Sequence, residues 1–254
     1  MNRSFVIAKN TILESLRNKI LYVILVFAVI LLLLSGALAH FDAQVQRKVL
    51  KDIAYTVISF FGLMVSLFIT IEQVPNELDR KTIYFLLTKP VYRFEFLIGK
   101  FLGVLAVMFS ALALMSGVLC LLLGFHAGAV DANLLKGLSM LALKLMVFTS
   151  LLVFFSTFLS KILNVTLSFF IYLFGHVGEF LQYSFTQSGK EAVSSFLGLF
   201  QLVLPNFRNF DVQVSVVHNV QISWSYLGVL ASYAVLFSLM FLLLGHVIFR
   251  QRDL

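Results

Sequence analysis

Apolar side chains along this chain gather into six runs, at about residues 20–39, 54–71, 94–125, 138–159, 162–181 and 224–249. An α-helix advances about 1.5 Å per residue, so crossing a hydrocarbon core about 30 Å thick takes about 20 consecutive apolar residues. Each run therefore predicts one membrane-spanning helix. The third and sixth are longer than a crossing needs and are expected to tilt or to project beyond the hydrocarbon. Ahead of them, residues 1–19 predict a helix lying on the membrane. At about 100° per residue, Phe5, Val6, Ala8, Ile12, Leu13 and Leu16 share one face, and Asn10, Glu14, Arg17 and Asn18 fall opposite. Lys9 lies inside the apolar sector and has to snorkel.

Residues 182–223, between the fifth and sixth runs, form the longest hydrophilic stretch, yet they carry Phe196, Leu197, Leu199, Phe200, Leu202, Val203 and Leu204 before Pro205. A run of about 10 to 14 apolar residues is too short to span. Residues 192–204 are therefore expected to form short helices dipping into the outer leaflet. The expected fold is all-α, a polytopic membrane protein with six transmembrane helices, an N-terminal interfacial amphipathic helix and short outer re-entrant helices before the last span. It is expected to be a single domain over residues 1–254.

Composition sharpens this reading. Hydrophobic residues make up 60% and charged residues 12%, with a mean hydropathy of +0.98, against about 45–50% and 25% in soluble domains. A water-soluble fold could not bury so much apolar surface. The formal charge of +7 comes from Lys and Arg scattered between apolar runs, with no basic stripe, so no nucleic-acid partner is expected. These cations set orientation instead. With the N-terminus inside, the cytoplasmic side holds Arg3, Lys9, Arg17, Lys19, Arg80, Lys81, Lys89, Arg93, Lys100, Lys161, Arg250 and Arg252. The other side holds half as many, Arg47, Lys48, Lys51, Lys136, Lys190 and Arg208. Both termini are thus expected in the cytoplasm. Ala37-Leu38-Ala39 looks like a signal-peptidase site, but the run before it is of full membrane length, which favours an uncleaved span. The single cysteine, Cys120, offers no intramolecular disulfide and no multi-cysteine metal site.

The connection between the second and third runs is dense in both charge signs and holds the apolar stretch Ile83-Tyr84-Phe85-Leu86-Leu87. A cytoplasmic loop with that stretch needs something to bury it, which suits a surface that docks a partner. No Gly-x-x-x-x-Gly-Lys-Ser/Thr occurs, since Gly99-Lys100 is followed by Phe101, so the chain has no nucleotide site of its own. Nor is there a Gly-x-Ser-x-Gly or His-Glu-x-x-His, and no catalytic residue is assigned. Within the spans, Lys144, His176 and Glu179 are ionisable groups at membrane depth and functional candidates by default. Counting from Ser160 and Ile162, they lie about 24, 21 and 26 Å from the cytoplasmic end, at one level in the outer leaflet. They could line a path as a relay or gate. Alternatively, Lys144 and Glu179 pair between adjacent helices, or the side chains snorkel outward. His176 and Glu179 lack a third ligand, so no metal is expected.

Residues 72–100 supply Glu72 or Glu77, Lys81-Thr82, Leu86-Leu87-Thr88-Lys89-Pro90-Val91-Tyr92-Arg93 and Ile98-Gly99-Lys100. This succession resembles the signature of the type 2 class of ABC transporter permeases, with Lys81 standing where that family usually has glycine. The basic amphipathic start, the six spans, Leu204-Pro205-Asn206 and the tail Phe249-Arg250-Gln251-Arg252-Asp253-Leu254 extend the resemblance over the chain. It implies an ATP-driven exporter in the cell's inner membrane, with ATP and magnesium bound by two copies of a separate ATPase subunit and no cofactor in this chain. Residues 72–93 would form the cytoplasmic coupling segment, with Glu72, Glu77, Arg80, Lys81, Thr82, Ile83, Tyr84, Phe85, Leu87, Pro90 and Arg93 at the ATPase interface. Residues 182–223 would be extracytoplasmic. A second permease chain, identical or paired, and membrane lipids would complete the surroundings. A stand-alone transporter or channel, or a membrane scaffold, are the alternatives. Neither accounts for the apolar element at residues 83–87, and all three prolines lie in connections rather than breaking a span.

Overall fold

The computed structural model describes residues 8–9, 11–12, 20–37, 42–73, 93–127, 131–188 and 191–251, and every regular element among them is helical. In chain order these are α1 Ile20–Ala37, α2 Ala43–Gln73, α3 Arg93–Ala127, α4 Ala132–Ser156, α5 Lys161–Gln187, α6 Glu191–Val203, a 3-10 turn Phe207–Phe210, α7 Gln213–Val217 and α8 Trp224–Gln251. Among the described residues five helices are long and apolar enough to cross a membrane, over Gln44–Ile71, Phe94–Phe125, Ala132–Ser156, Lys161–Gln187 and Trp224–Arg250. The first apolar run is also helical. Its 18 residues, ILYVILVFAVILLLLSGA, carry no charge and rise about 27 Å.

Two of the boundaries that differ from the apolar pattern have a clear local cause. α2 begins at Ala43, well before residue 54, because its charged first turns continue the helical periodicity. Gln46, Leu50, Ala54 and Ile58, four apart, are all buried, while Lys48 and Asp52 face outward. α4 ends at Ser156, short of residue 159, where the hydroxyls of Ser156 and Thr157 turn back onto the Val153 and Phe154 carbonyls.

α4 is the centre of the bundle. It packs against α2, α3, α5 and α8, and Leu141, Leu145, Phe148 and Leu152 on it are fully buried. α5 and α8 instead present long apolar faces, including Ile162, Phe170 and Phe180 on α5 and Val229, Leu236 and Leu243 on α8.

The antiparallel order sorts the connections onto two ends. At one end Phe96 at the start of α3 stacks on Phe249 near the end of α8, and Phe94 meets His246 edge-on. Residues 8–9 and 11–12 join that end. A Cβ on Gly103 would lie 2.6 Å from the Thr11 Cβ, and Ile12 packs among Val65, Ile69, Val104, Val107 and Ala111. The end of α2, the start of α3, the N-terminal segment and the end of α8 therefore lie together. At the other end stand the starts of α2, α4 and α8.

After α5 the chain turns back on itself. Thr186 bonds Ser194 at 2.6 Å, a Cβ on Gly198 would meet the Gln182 amide at 3.0 Å, and one on Gly178 would meet Gln201 at 3.1 Å. α6 thus descends antiparallel along α5, as a single helix where shorter ones were expected. It stops at Pro205, beside Gly175. Gly175 lies 12 residues before the end of α5 at Gln187, so the hairpin reaches about 18 Å back along the bundle. Residues 205–223 then climb back between the helices to α8.

Candidate functional site

Where this hairpin turns, irregular backbone lies deep in a bundle read as membrane-embedded, which is tolerated only if protein groups satisfy it. Asn206 does most of this. Its N–H donates to the Tyr233 hydroxyl on α8 at 2.8 Å, and its side-chain oxygen accepts from the Arg208 N–H at 3.0 Å, capping the 3-10 turn. Its amide also donates to Glu179 on α5. Phe207 is fully buried against Tyr172 at 5.1 Å, His176 at 6.3 Å and Phe148 at 6.4 Å between ring centres. Without water to expel, such packing and aromatic contacts of about 0.5–1.5 kcal/mol each hold the turn in place.

Two glycines make room for it. A Cβ on Gly175 would lie 2.6 Å from the Pro205 carbonyl oxygen and 2.7 Å from a Phe207 ring carbon. A Cβ on Gly137 would occupy the place of Val216 of α7, and the Gly137 carbonyl accepts from the Tyr55 hydroxyl at 3.2 Å.

The sequence-derived candidates fall on this turn, in an arrangement different from the one expected. Glu179 does not pair with Lys144. It accepts from Asn206 and from the Arg208 guanidinium at 3.4 Å, and both members of that ion pair are about half exposed, at 45% and 55%. α4 runs from Ala132 to Ser156, so Lys144 sits at its middle, about 18 Å from either end. It is 5% exposed, and its ammonium lies over the Tyr172 ring at 5.4 Å, within the range of cation–π attraction. It has no ion pair among the described residues. The His176 ring lies tilted against the same tyrosine, 4.6 Å between ring centres, with its Nδ1 3.3 Å from the Tyr172 carbonyl.

Sequence reasoning missed Arg208 and Asp211, which it assigned to an outer loop. The signal was their place directly after Leu204-Pro205-Asn206, an element that anchors against α5 and α8. A small, partly open crevice borders the turn, lined by Gly175, Gly178, Glu179, Gln201, Pro205 and Asn206 among others.

At the far end a second polar set ties the connections together. Lys51, buried at 2% exposure, donates to Asp131 at the start of α4 and to the Asn219 side chain at 3.0 Å. Asn219 is left-handed, at φ 55°. The hydrogen bond from Lys51 is the main reason the Asp131 carboxyl is held below its usual range. Lys136 donates to the Ile222 carbonyl at 2.7 Å and covers the Trp224 ring at 4.5 Å. Gln213 reaches Asp52 at 2.7 Å and Thr56 at 2.8 Å.

Of the residues expected at an ATPase interface, Glu77, Arg80, Lys81, Thr82, Ile83, Tyr84, Phe85, Leu87 and Pro90 lie outside the described residues. Glu72 and Arg93 belong to the last turn of α2 and the first of α3. The segment they bracket starts and finishes at the end that also holds residues 8–9 and 11–12 and the close of α8.

The family described as ABC-2 family transporter protein matches residues 5–254 of the chain. Among curated proteins none matches it.

Proposed function

Because the chain belongs to the ABC-2 family of transporter proteins, we propose that it is the membrane permease of an ATP-driven exporter whose ATPase is a separate chain. In this reading α1 is the sixth span beside the five long apolar helices. The end carrying residues 8–9 and 11–12, the close of α8 and residues 72–93 faces the cytoplasm, where its cations place it, and residues 182–223 face outward from an inner membrane. Two permease chains pair around the path, and each binds one ATPase through residues 72–93, with ATP and magnesium on the partner. The observation that carries this is the family match over nearly the whole chain combined with a sequence that has no phosphate-binding loop.

The apolar stretch Ile83 to Leu87 is the docking element. Interface energy concentrates in a few desolvated side chains, and aromatic anchors dominate such sites. Lys144 on α4 and His176 and Glu179 on α5 line, in this reading, the seat of the hairpin that closes the outer half of the path. The test is isolation of the tagged chain from its native membranes under mild detergent. An ABC-type ATPase should accompany it in equal copy number, in an assembly of two permeases and two ATPases. A chain that is monomeric and free of any ATPase would refute the proposal and leave the stand-alone readings.

A further inference from the structure

We infer that Asp211 is the counter-charge of Lys144, and that Lys144–Asp211 together with Arg208–Glu179 forms a two-pair clasp that seats the returning segment.

The placement follows from what faces α4. Gly137, Lys144 and Phe148 are spaced by seven and four residues and so share one helix face. The returning segment runs along that face, from Phe207 against Phe148 to Val216 in the notch of Gly137. Interpolating between these two contacts brings residues 210–211 abreast of Lys144. Asp211 is also the carboxylate whose charge acts on Lys144, and on Tyr55 of α2 and Tyr172 and His176 of α5 around it. The segment Asn206–Asp211 thus carries two opposite charges, and α5 and α4 hold Glu179 and Lys144 of the matching signs. Arg208 has closed onto Glu179 of α5. Asp211 has not closed onto Lys144 of α4. It is exposed and accepts from the Gln213 N–H at 3.4 Å, while Lys144 stays buried over Tyr172 without an ion pair among the described residues. An ammonium at membrane depth without a closed counter-charge is costly. The Arg208 half of the clasp is therefore shut in this arrangement, and Lys144 has no closed counter-charge among the described residues.

The pairing itself is independent of the ATPase. The outward placement of the segment rests on the proposed function, so the two are tested separately. Thermal midpoints of the purified full chain would be compared for Lys144→Met, Asp211→Asn, the double variant and the exchange Lys144→Asp with Asp211→Lys. Pairing predicts that each single change lowers the midpoint, that the double costs clearly less than the sum, and that the exchange recovers part of the loss. If Lys144→Met does not accumulate, Lys144→Arg and Asp211→Glu complete the cycle. In a Cys120→Ala background, a cysteine in place of buried Val212, next to Asp211, reports on seating through an impermeant maleimide applied to intact cells. Each single change should raise its labelling rate by about tenfold, the effect of a coupling of about 1.4 kcal/mol, and the exchange should lower it again. Additive thermal losses with unchanged labelling would overturn the clasp. Absence of labelling in every variant would count against the outward placement in the proposed function, and the thermal cycle would then decide the clasp alone.

Discussion

Replacing Gly175 with alanine tests how the hairpin is seated, because helix preference and packing act on it in opposite directions. In a helix interior glycine is about 0.8–1.0 kcal/mol less favourable than alanine, so the change alone should stabilise α5. At Gly175, however, the new Cβ would meet the Pro205 carbonyl oxygen at 2.6 Å and a Phe207 ring carbon at 2.7 Å. The obstruction is backbone and a fully buried ring, neither of which can swing aside like a side-chain tip. Overpacking costs about 1–3 kcal/mol, and a rigid obstruction belongs in the upper part of that range. The expected net loss is about 1–2 kcal/mol. Gly117 in α3 is the control, since a Cβ there meets nothing within 4 Å, and its alanine variant should gain up to about 1 kcal/mol. Thermal unfolding of the two purified variants in one detergent gives the comparison. A Gly175→Ala chain as stable as Gly117→Ala would refute the account of the hairpin resting on α5.

At the end that holds the starts of α2, α4 and α8, Asp131→Asn should destabilise the chain by about 1.5–3 kcal/mol, the worth of a hydrogen bond to a charged group, because it leaves buried Lys51 with the Asn219 side chain in place of a carboxylate. Since the Asp131 carboxyl is held down mainly by the hydrogen bond from Lys51, its contribution is complete above the ordinary carboxylate range near about pH 4 and disappears as pH falls through its lowered value. Midpoints measured from neutral to acid pH should show the wild type losing that advantage over Asp131→Asn, and a constant gap would contradict the assignment. Gln213→Ala removes bonds to Asp52 and Thr56 at an exposed site and should cost about 0.5–1.5 kcal/mol in the same thermal assay.

How far the sequence reveals this protein differs from element to element. The long apolar runs were legible because period and length report lipid contact directly, and each of the six falls on a helix. The early start of α2 was hidden, since Arg47, Lys48, Lys51 and Asp52 break an apolar count while preserving the four-residue spacing of Gln46, Leu50, Ala54 and Ile58. Charge density reads as a loop unless the partner is known, and the partner of Lys51, Asp131, is 80 residues away. The pairing expected between Lys144 and Glu179 rested on depth alone. Depth carries no information about which face a side chain occupies, and Arg208 reached Glu179 from a segment with no membrane signature. The seating of that segment depends on glycines that accept a backbone, Gly175 and Gly137, and nothing in hydrophobic periodicity distinguishes them from the glycines of α3 with open space around them.

The central claim, that energy enters through residues 72–93, is tested most directly by changing Tyr84 and Phe85 together to alanine. Truncating aromatic anchors typically costs about 2 kcal/mol or more each at an interface, so the double variant should lose its ATPase on purification and lose substrate-stimulated hydrolysis. The membrane spans are untouched, and insertion, thermal midpoint and pairing of permease chains should stay as in the wild type. Full retention of both the ATPase and its activity by the doubly substituted chain would contradict the account.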